Sequence, residues 1–262
     1  MKIVLATYHV RPSPQAVSLA AGCLAAALSP ARRAAAVLID LFPQDPPEGQ
    51  VELLLKHDPA LIAFPLYVWN RQAVIALARQ VRQRNPEVRL VAGGPEATAD
   101  PGGVLASTVF DAVIRGEGEE VFPALIESLA SAGDFGLLPG ISLWREGQVI
   151  AGPDPQPLTD PDRLPSPWLT GVLRPSPAGG VLWETSRGCP FSCDYCYDGR
   201  GQQGVRHFDR ARLAAELELF RQNGVGQVWV LDSTFNFPPE RGKELLRLIR
   251  QGAPETHFHL EA

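Results

Sequence analysis

An α/β fold, doubly wound about a parallel sheet and followed by the opening of a second βα domain, is what this sequence predicts. Three observations carry that reading. Short apolar runs alternate with amphipathic stretches through the first 132 residues, a proline-rich interval breaks the rhythm, and the alternation resumes after Gly180. A chain of 262 residues with 45% apolar composition has the length and core-forming material for two ordinary domains.

Ile3–Tyr8 reads as the first strand and residues 14–28, rich in Ala and Leu, as the first helix. Residues 36–40 form the second strand, 51–56 a short helix and Leu61–Pro65 the third strand. Residues 70–84 follow as a helix, with Ala73, Leu77 and Val81 at helical spacing. The fourth strand, 88–92, runs into Gly93-Gly94-Pro95, and the fifth, 112–115, runs into Gly116-Glu117-Gly118 before a helix over 119–132. Five strands with crossover helices fit a flavodoxin-like doubly wound parallel sheet, whose ligands bind beyond the carboxyl ends of the strands. Segments 141–144 and 148–151, separated by Arg145-Glu146-Gly147, read as a hairpin. From residue 153 to 177 eight of twenty-five residues are proline, which suits a semi-rigid connector and not a helix or central strand. The expected divisions are therefore 1–152, a connector over 153–180, and a second domain over 181–262. That domain begins with a strand at 181–186, a helix at 209–223 and a strand at 227–232. A helix at 239–251, entered through Pro238-Pro239, and a strand at 257–261 complete it.

A net charge of -5 and a pI near 5.6 give no broad basic surface for nucleic-acid phosphates, so small-molecule chemistry is expected and nucleic-acid binding is not. No run of eighteen apolar residues suggests a membrane span, and the chain opens on a strand and not on a signal segment, which reads as cytoplasmic. Three of the four cysteines lie within eight residues, a spacing for metal ligands and not for a disulfide framework. Cys23, on the apolar face of the first helix, reads as a small buried hydrophobe.

Cys189-Pro190-Phe191-Ser192-Cys193-Asp194-Tyr195-Cys196 sets three thiols at Cys-x-x-x-Cys-x-x-Cys spacing on the loop after a strand. A four-iron cubane normally takes four thiolates. Three leave one iron with an open position, the arrangement that separates reactive from purely structural metal centres. The alternative is a zinc knot with His207, eleven residues on, as fourth ligand, although zinc sites usually pair their cysteines as Cys-x-x-Cys on two turns. Together with Glu184-Thr185-Ser186-Arg187-Gly188 before it, the run resembles the signature loop of radical S-adenosylmethionine (SAM) enzymes, including the aromatic Tyr195. The resemblance implies a four-iron four-sulfur cluster on Cys189, Cys193 and Cys196, and SAM chelated by the free iron. It also implies an electron donor such as flavodoxin or ferredoxin. It further implies that the turn after the second barrel strand, Leu231-Asp232-Ser233-Thr234-Phe235-Asn236, holds the SAM amino group. The Gly-Gly-Glu common there is absent, and Asp232, Ser233 and Asn236 stand in its place. Glu261, expected to end the third strand, is a further residue expected to face the same site, while Tyr195 either contacts the adenine or packs under the loop.

At the ends of adjacent strands in the first domain, Gly93-Gly94-Pro95-Glu96 and Arg115-Gly116-Glu117-Gly118-Glu119 are similar to turns of cobalamin-binding radical SAM proteins. Missing side chains let a flat ring and its nucleotide tail lie against the main chain. The same residues also suit ordinary tight turns. Tyr67 and Trp69, with Phe64 and Val68, would wall one face of such a ring. Thr7-Tyr8-His9-Val10-Arg11-Pro12 departs from the Asp-x-His-x-x-Gly of cobalamins ligated from below, because the aspartate that would orient His9 is missing. His9 as a cobalt ligand, a corrin without a protein ligand and no corrin at all therefore stay open. A flavodoxin proper shares the fold, but Pro12 and Pro14 remove backbone donors that a phosphate would need.

The resemblance thus reads the chain as the amino-terminal portion of a cobalamin-binding radical SAM protein, of the subgroup with a further carboxyl-terminal domain. Methyl transfer to carbon of a small molecule is the implied reaction class. A radical SAM protein with a vestigial cobalamin domain, and a non-catalytic iron-sulfur or electron-transfer module, are the alternatives. Radical SAM barrels resemble a six-unit βα barrel. Three strands therefore imply an incomplete radical SAM βα barrel, finished by missing residues or by a second polypeptide.

Overall fold

The computed structural model describes residues 1–132, 135, 137–155, 158–196 and 204–261. These fall into two compact units, one of residues 1–11 and 20–156, the other of residues 12–19 and 157–262.

The first unit opens with β1 (Ile3–Tyr8), α1 (Leu19–Ala27), α2 (Pro30–Arg33), β2 (Ala36–Leu41), α3 (Pro47–Leu55), β3 (Leu61–Pro65) and α4 (Arg71–Arg84). It continues with β4 (Arg89–Gly93), α5 (Pro95–Ala99), α6 (Pro101–Leu105), β5 (Ala112–Ile114), α7 (Gly118–Ala132), β6 (Ile141–Arg145) and β7 (Gln148–Ala151). The sheet order is β2-β1-β3-β4-β5-β6-β7. Its first five strands are parallel, in the flavodoxin-like order that reverses between β1 and β3. Ile3, Val4, Leu5 and Ala6 are each 1% exposed or less, as expected for a parallel strand covered on both faces. Helix α4 buries Val74, Ile75, Leu77, Ala78 and Val81 on one stripe, the 3.6-residue pattern expected from the sequence.

Three details correct the sequence reading or go beyond it. The expected hairpin forms, and its β6 also pairs antiparallel with β5 and extends the sheet to seven strands. Its loop is two residues, Glu146 at φ 52° and Gly147 at φ 78°, the double left-handed geometry of a type I′ turn. The first helix starts at Leu19 and not at residue 14, because residues 13–19 form tight turns and Pro14 gives its carbonyl to the Gly180 amide at 3.0 Å. Short helices α5 and α6, each with proline in its first turn, occupy the β4 to β5 crossover, and Asp100 ends one and caps the other by accepting from Gly103 N.

The second unit holds β8 (Val181–Trp183), β9 (Ser186–Arg187), β10 (Arg206–His207), α8 (Arg210–Gln222), β11 (Gln227–Val230), α9 (Pro239–Gly252) and β12 (His257–His259). Strands β12-β11-β8 form a parallel sheet, and β9 pairs antiparallel with β10. The strand expected at 181–186 is thus broken at Glu184-Thr185. The parallel ladder with βα crossovers is the opening of a βα barrel, left unclosed among the described residues. Trp183, 1% exposed, meets Phe220 edge-on at 6.1 Å and donates its indole N–H to Glu216 at 2.6 Å. Glu216 also accepts from Arg212, whose guanidinium lies 4.1 Å over the Phe208 ring. The proline-rich segment packs on this same unit: Trp168 meets Phe220 edge-on, and the Leu158 and Leu164 carbonyls accept from Arg206 and Arg212. Among the described residues no helix is long and apolar enough to cross a membrane.

Candidate functional site

Strands β8, β11 and β12 run parallel, so the segments that follow them lie at one edge of the sheet. The cysteine loop follows β9, the 232–236 turn follows β11, and Glu261 follows β12. Gly188, at φ 90°, supplies the left-handed step into Cys189. Cys189 and Cys196 are half-buried and Cys193 is exposed, all three as free thiols. The Cys196 amide donates to the Cys193 carbonyl at 3.1 Å, which folds the second half of the motif into a turn. Glu184 pairs with Arg187 at 2.8 Å just ahead of the loop. Tyr195 is 93% exposed, so its ring does not pack beneath the loop. Among the described residues no three His, Cys, Asp or Glu side chains are gathered around one point. Residues 197–203 of the loop lie outside the described set.

In the 232–236 turn the side chains divide. Asp232 is 4% exposed, and its carboxylate accepts from Thr185 N at 2.7 Å, Ser186 N at 3.0 Å and Ser186 Oγ at 2.9 Å, and also from Thr185 Oγ1. The expectation for Asp232 therefore takes a different form: both oxygens are engaged inside the protein, and only Ser233 and Asn236 of the proposed trio are exposed. Thr234 Oγ1 sits 3.9 Å from Cys189 Sγ. His207, on β10 opposite Ser186, has its pKa lowered by burial and then by the Arg241 cation, against an opposing pull from Asp232.

The glycine turns of the first unit are tied together by a residue that pattern reading did not single out. Thr98 Oγ1 donates to Gly94 O at 2.9 Å and accepts from Gly116 N at 3.0 Å, joining the turns after β4 and β5. Arg71 braces the same crossover through Glu96 and Asp100, each at 2.7 Å. Gly94 has φ 91°, and a Cβ there would lie 2.9 Å from Leu66 O, so the fold itself demands glycine. At Gly118 a Cβ would meet the flexible end of Leu24 at 2.9 Å. At Gly93 it would make only ordinary contact, 3.8 Å from Ile114. Glu117 lies between the second pair of glycines, half-buried.

After β3, Asn70 accepts from Tyr67 N and donates to Pro65 O, fixing the turn that displays Tyr67 and Trp69. Those two rings stack at 4.4 Å and 8°, with Trp69 59% and Val68 79% exposed. Phe64 is not part of this wall: it is 1% exposed and meets Phe110 edge-on in the core. The partner missing from His9 in the sequence is supplied by β2, where Asp40 Oδ1 lies 2.7 Å from His9 Nε2 while the ring stacks on Phe42. The in-register pairing of β1 with β2 brings them together, and local motif reading has no access to it.

Residues 1–126 match the B12 binding domain family, and residues 183–262 match the radical SAM superfamily. The chain is 35% identical over 210 residues to 2-(S-pantetheinyl)-carbapenam-3-carboxylate methyltransferase of Streptantibioticus cattleyicolor, covering 76% of this chain and 31% of that protein. It is 33% identical over 209 residues to the cobalamin-dependent radical SAM methyltransferase TokK of Streptomyces tokunonensis, covering 76% and 30%. The chain thus spans under a third of the length of these two curated relatives. The fold is similar to that of the radical SAM methyltransferase TsrM of Kitasatospora setae, solved with cobalamin and a 4Fe-4S cluster bound. The TM-score is 0.74 over 98% of this chain and 53% of that one, at 16% identity.

Proposed function

Because the chain joins a B12 binding domain to a radical SAM domain and is homologous to cobalamin-dependent radical SAM methyltransferases, we propose that it binds a four-iron four-sulfur cluster, SAM and cobalamin, and serves methyl transfer to carbon of a small molecule. The single observation that carries the reading is the cysteine loop: three free thiols within eight residues, launched from β9 at the carboxyl edge of a parallel sheet. Thiolate is the donor such clusters take, and three donors leave one iron open to SAM. When bound, the cluster supplies the electron that cleaves SAM, and the corrin carries the methyl group.

The chain's own residues hold and orient these groups. Cys189, Cys193 and Cys196 bind iron. Ser233 and Asn236, exposed in the turn after β11, would hydrogen-bond the SAM amino group, Glu261 would contribute from two residues past β12, and the displayed Tyr195 ring would meet the adenine. In the first unit the fit to a corrin rests on Gly93, where the protein leaves room for a side chain that the sequence does not place. Tyr67 and Trp69, stacked after β3, would hold the corrin together with Gly94, Glu117 and Gly118 of the two glycine turns. An external electron donor such as flavodoxin or ferredoxin reduces the cluster.

Anaerobic reconstitution tests the reading. The expected result is about four iron and four sulfide per chain, with an electron paramagnetic resonance signal that changes on adding SAM, and a corrin spectrum that co-elutes with protein after incubation with hydroxocobalamin. Zinc in place of iron and sulfide would remove the cluster, and a cluster without corrin would remove the cobalamin half.

A further inference from the structure

We infer that Asp232 is the positioning residue of the cysteine loop, an assignment that rests on the cluster reading above. The parallel ladder between β8 and β11 ends at Trp183, whose carbonyl takes the Leu231 amide at 2.8 Å. Beyond that point β11 offers no backbone carbonyl to Thr185 and Ser186, and the Asp232 side chain replaces it. Its two oxygens take both backbone amides and both hydroxyls of that pair. A carboxylate 4% exposed is tolerated only when its lone pairs are filled, and here four donors fill them.

Cys189 follows Ser186 by three residues, through the left-handed Gly188. On the other side of Asp232, two residues on, Thr234 reaches Cys189 Sγ at 3.9 Å. One buried carboxylate therefore fixes both the launch of the first cluster ligand and the turn that carries Ser233 and Asn236. Asp232 does not touch SAM; it sets the distance between the cluster and the residues that do. Neighbours that orient metal ligands without binding the metal typically account for about 10–100-fold in affinity or activity.

The test is Asp232→Asn in the full chain, reconstituted without oxygen beside the wild type, with Ser186→Ala as a milder variant losing one hydroxyl donor. Leu213→Ala, a core truncation in α8, is the control for destabilisation alone. The expected result is that Asp232→Asn takes up iron and sulfide yet shifts the g-values and midpoint potential of the reduced cluster and weakens SAM binding about tenfold. Ser186→Ala should move the same signals less and decides the matter if Asp232→Asn does not fold, while Leu213→Ala lowers the melting temperature with g-values unchanged. Wild-type chain that takes zinc would overturn the proposed function and this inference with it. Wild type with a cluster, beside variants of identical spectrum, potential and SAM affinity, would overturn the inference alone.

Discussion

Gly93 and Gly94 are neighbours with different duties. Gly94 sits at φ 91° with backbone 2.9 Å from where a Cβ would stand, so Gly94→Ala must strain or shift the turn after β4. We expect a loss of about 1–3 kcal/mol in urea denaturation. Gly93→Ala adds a methyl group 3.8 Å from Ile114, and its stability should stay within about 0.5 kcal/mol of wild type. If main chain must approach the corrin there, the same methyl group should weaken hydroxocobalamin binding at least about tenfold, the loss expected when roughly 1.4 kcal/mol of contact is removed. Unchanged corrin affinity in Gly93→Ala would leave that glycine a turn residue and nothing more. In the second unit the informative residue is Glu216, buried between the Trp183 indole and Arg212. Glu216→Ala leaves the buried Trp183 N–H without its acceptor, while Arg212 keeps the Leu164 carbonyl, and should cost about 1–3 kcal/mol, read as a fall in the denaturation midpoint of that unit.

At the scale of elements, what could be read from the sequence was whatever declares itself locally. The apolar runs of β1, β3 and β4 and the 3.6-residue stripe of α4 are visible in one pass along the chain, and so is the cysteine spacing. What could not be read depends on partners far away in sequence. Asp40 reaches His9 only through the register of β2 on β1, and Asp232 reaches Thr185 only because β11 lies beside β8. Likewise β6 looks the same from sequence whether its hairpin hangs free or pairs with β5. The β9 and β10 ladder yields a test of such a long-range contact. Burial, aided by Arg241 and opposed by Asp232, lowers the His207 pKa, so the folded state binds that proton less readily than the unfolded chain does. Stability from this group is therefore full above the unfolded value near 6.5 and is lost as pH falls toward the lower folded value. Chemical denaturation at pH 7.5 and at successively lower pH should show a decline that His207→Gln flattens. A variant with the wild-type pH slope would show that other groups set it.

For the molecule as a whole, the two units hold separate cores and, in the proposed function, separate cofactors. Sheet β2-β1-β3-β4-β5-β6-β7 and its helices form one core, while β12-β11-β8 with α8 and α9 form another. A ligand that binds only the folded form of one unit stabilises that unit by mass action, by about 2.7 kcal/mol at a hundred times its dissociation constant. For a unit of this size that is a rise on the order of 5–10 °C in melting temperature. Calorimetry without oxygen should therefore resolve two transitions, one raised by hydroxocobalamin and the other by cluster reconstitution. The segment 12–19 gives the experiment an internal check, because it leaves β1 of the first unit yet belongs to the second, where Pro14 O receives the Gly180 amide. Gly180 has no room for a side chain, since a Cβ there would lie 2.2 Å from the Trp229 ring and 2.4 Å from Pro14 O. Gly180→Ala should thus lower the cluster-dependent transition and leave the cobalamin-dependent one in place. A single transition raised equally by both cofactors would show instead that the two cores unfold as one cooperative system.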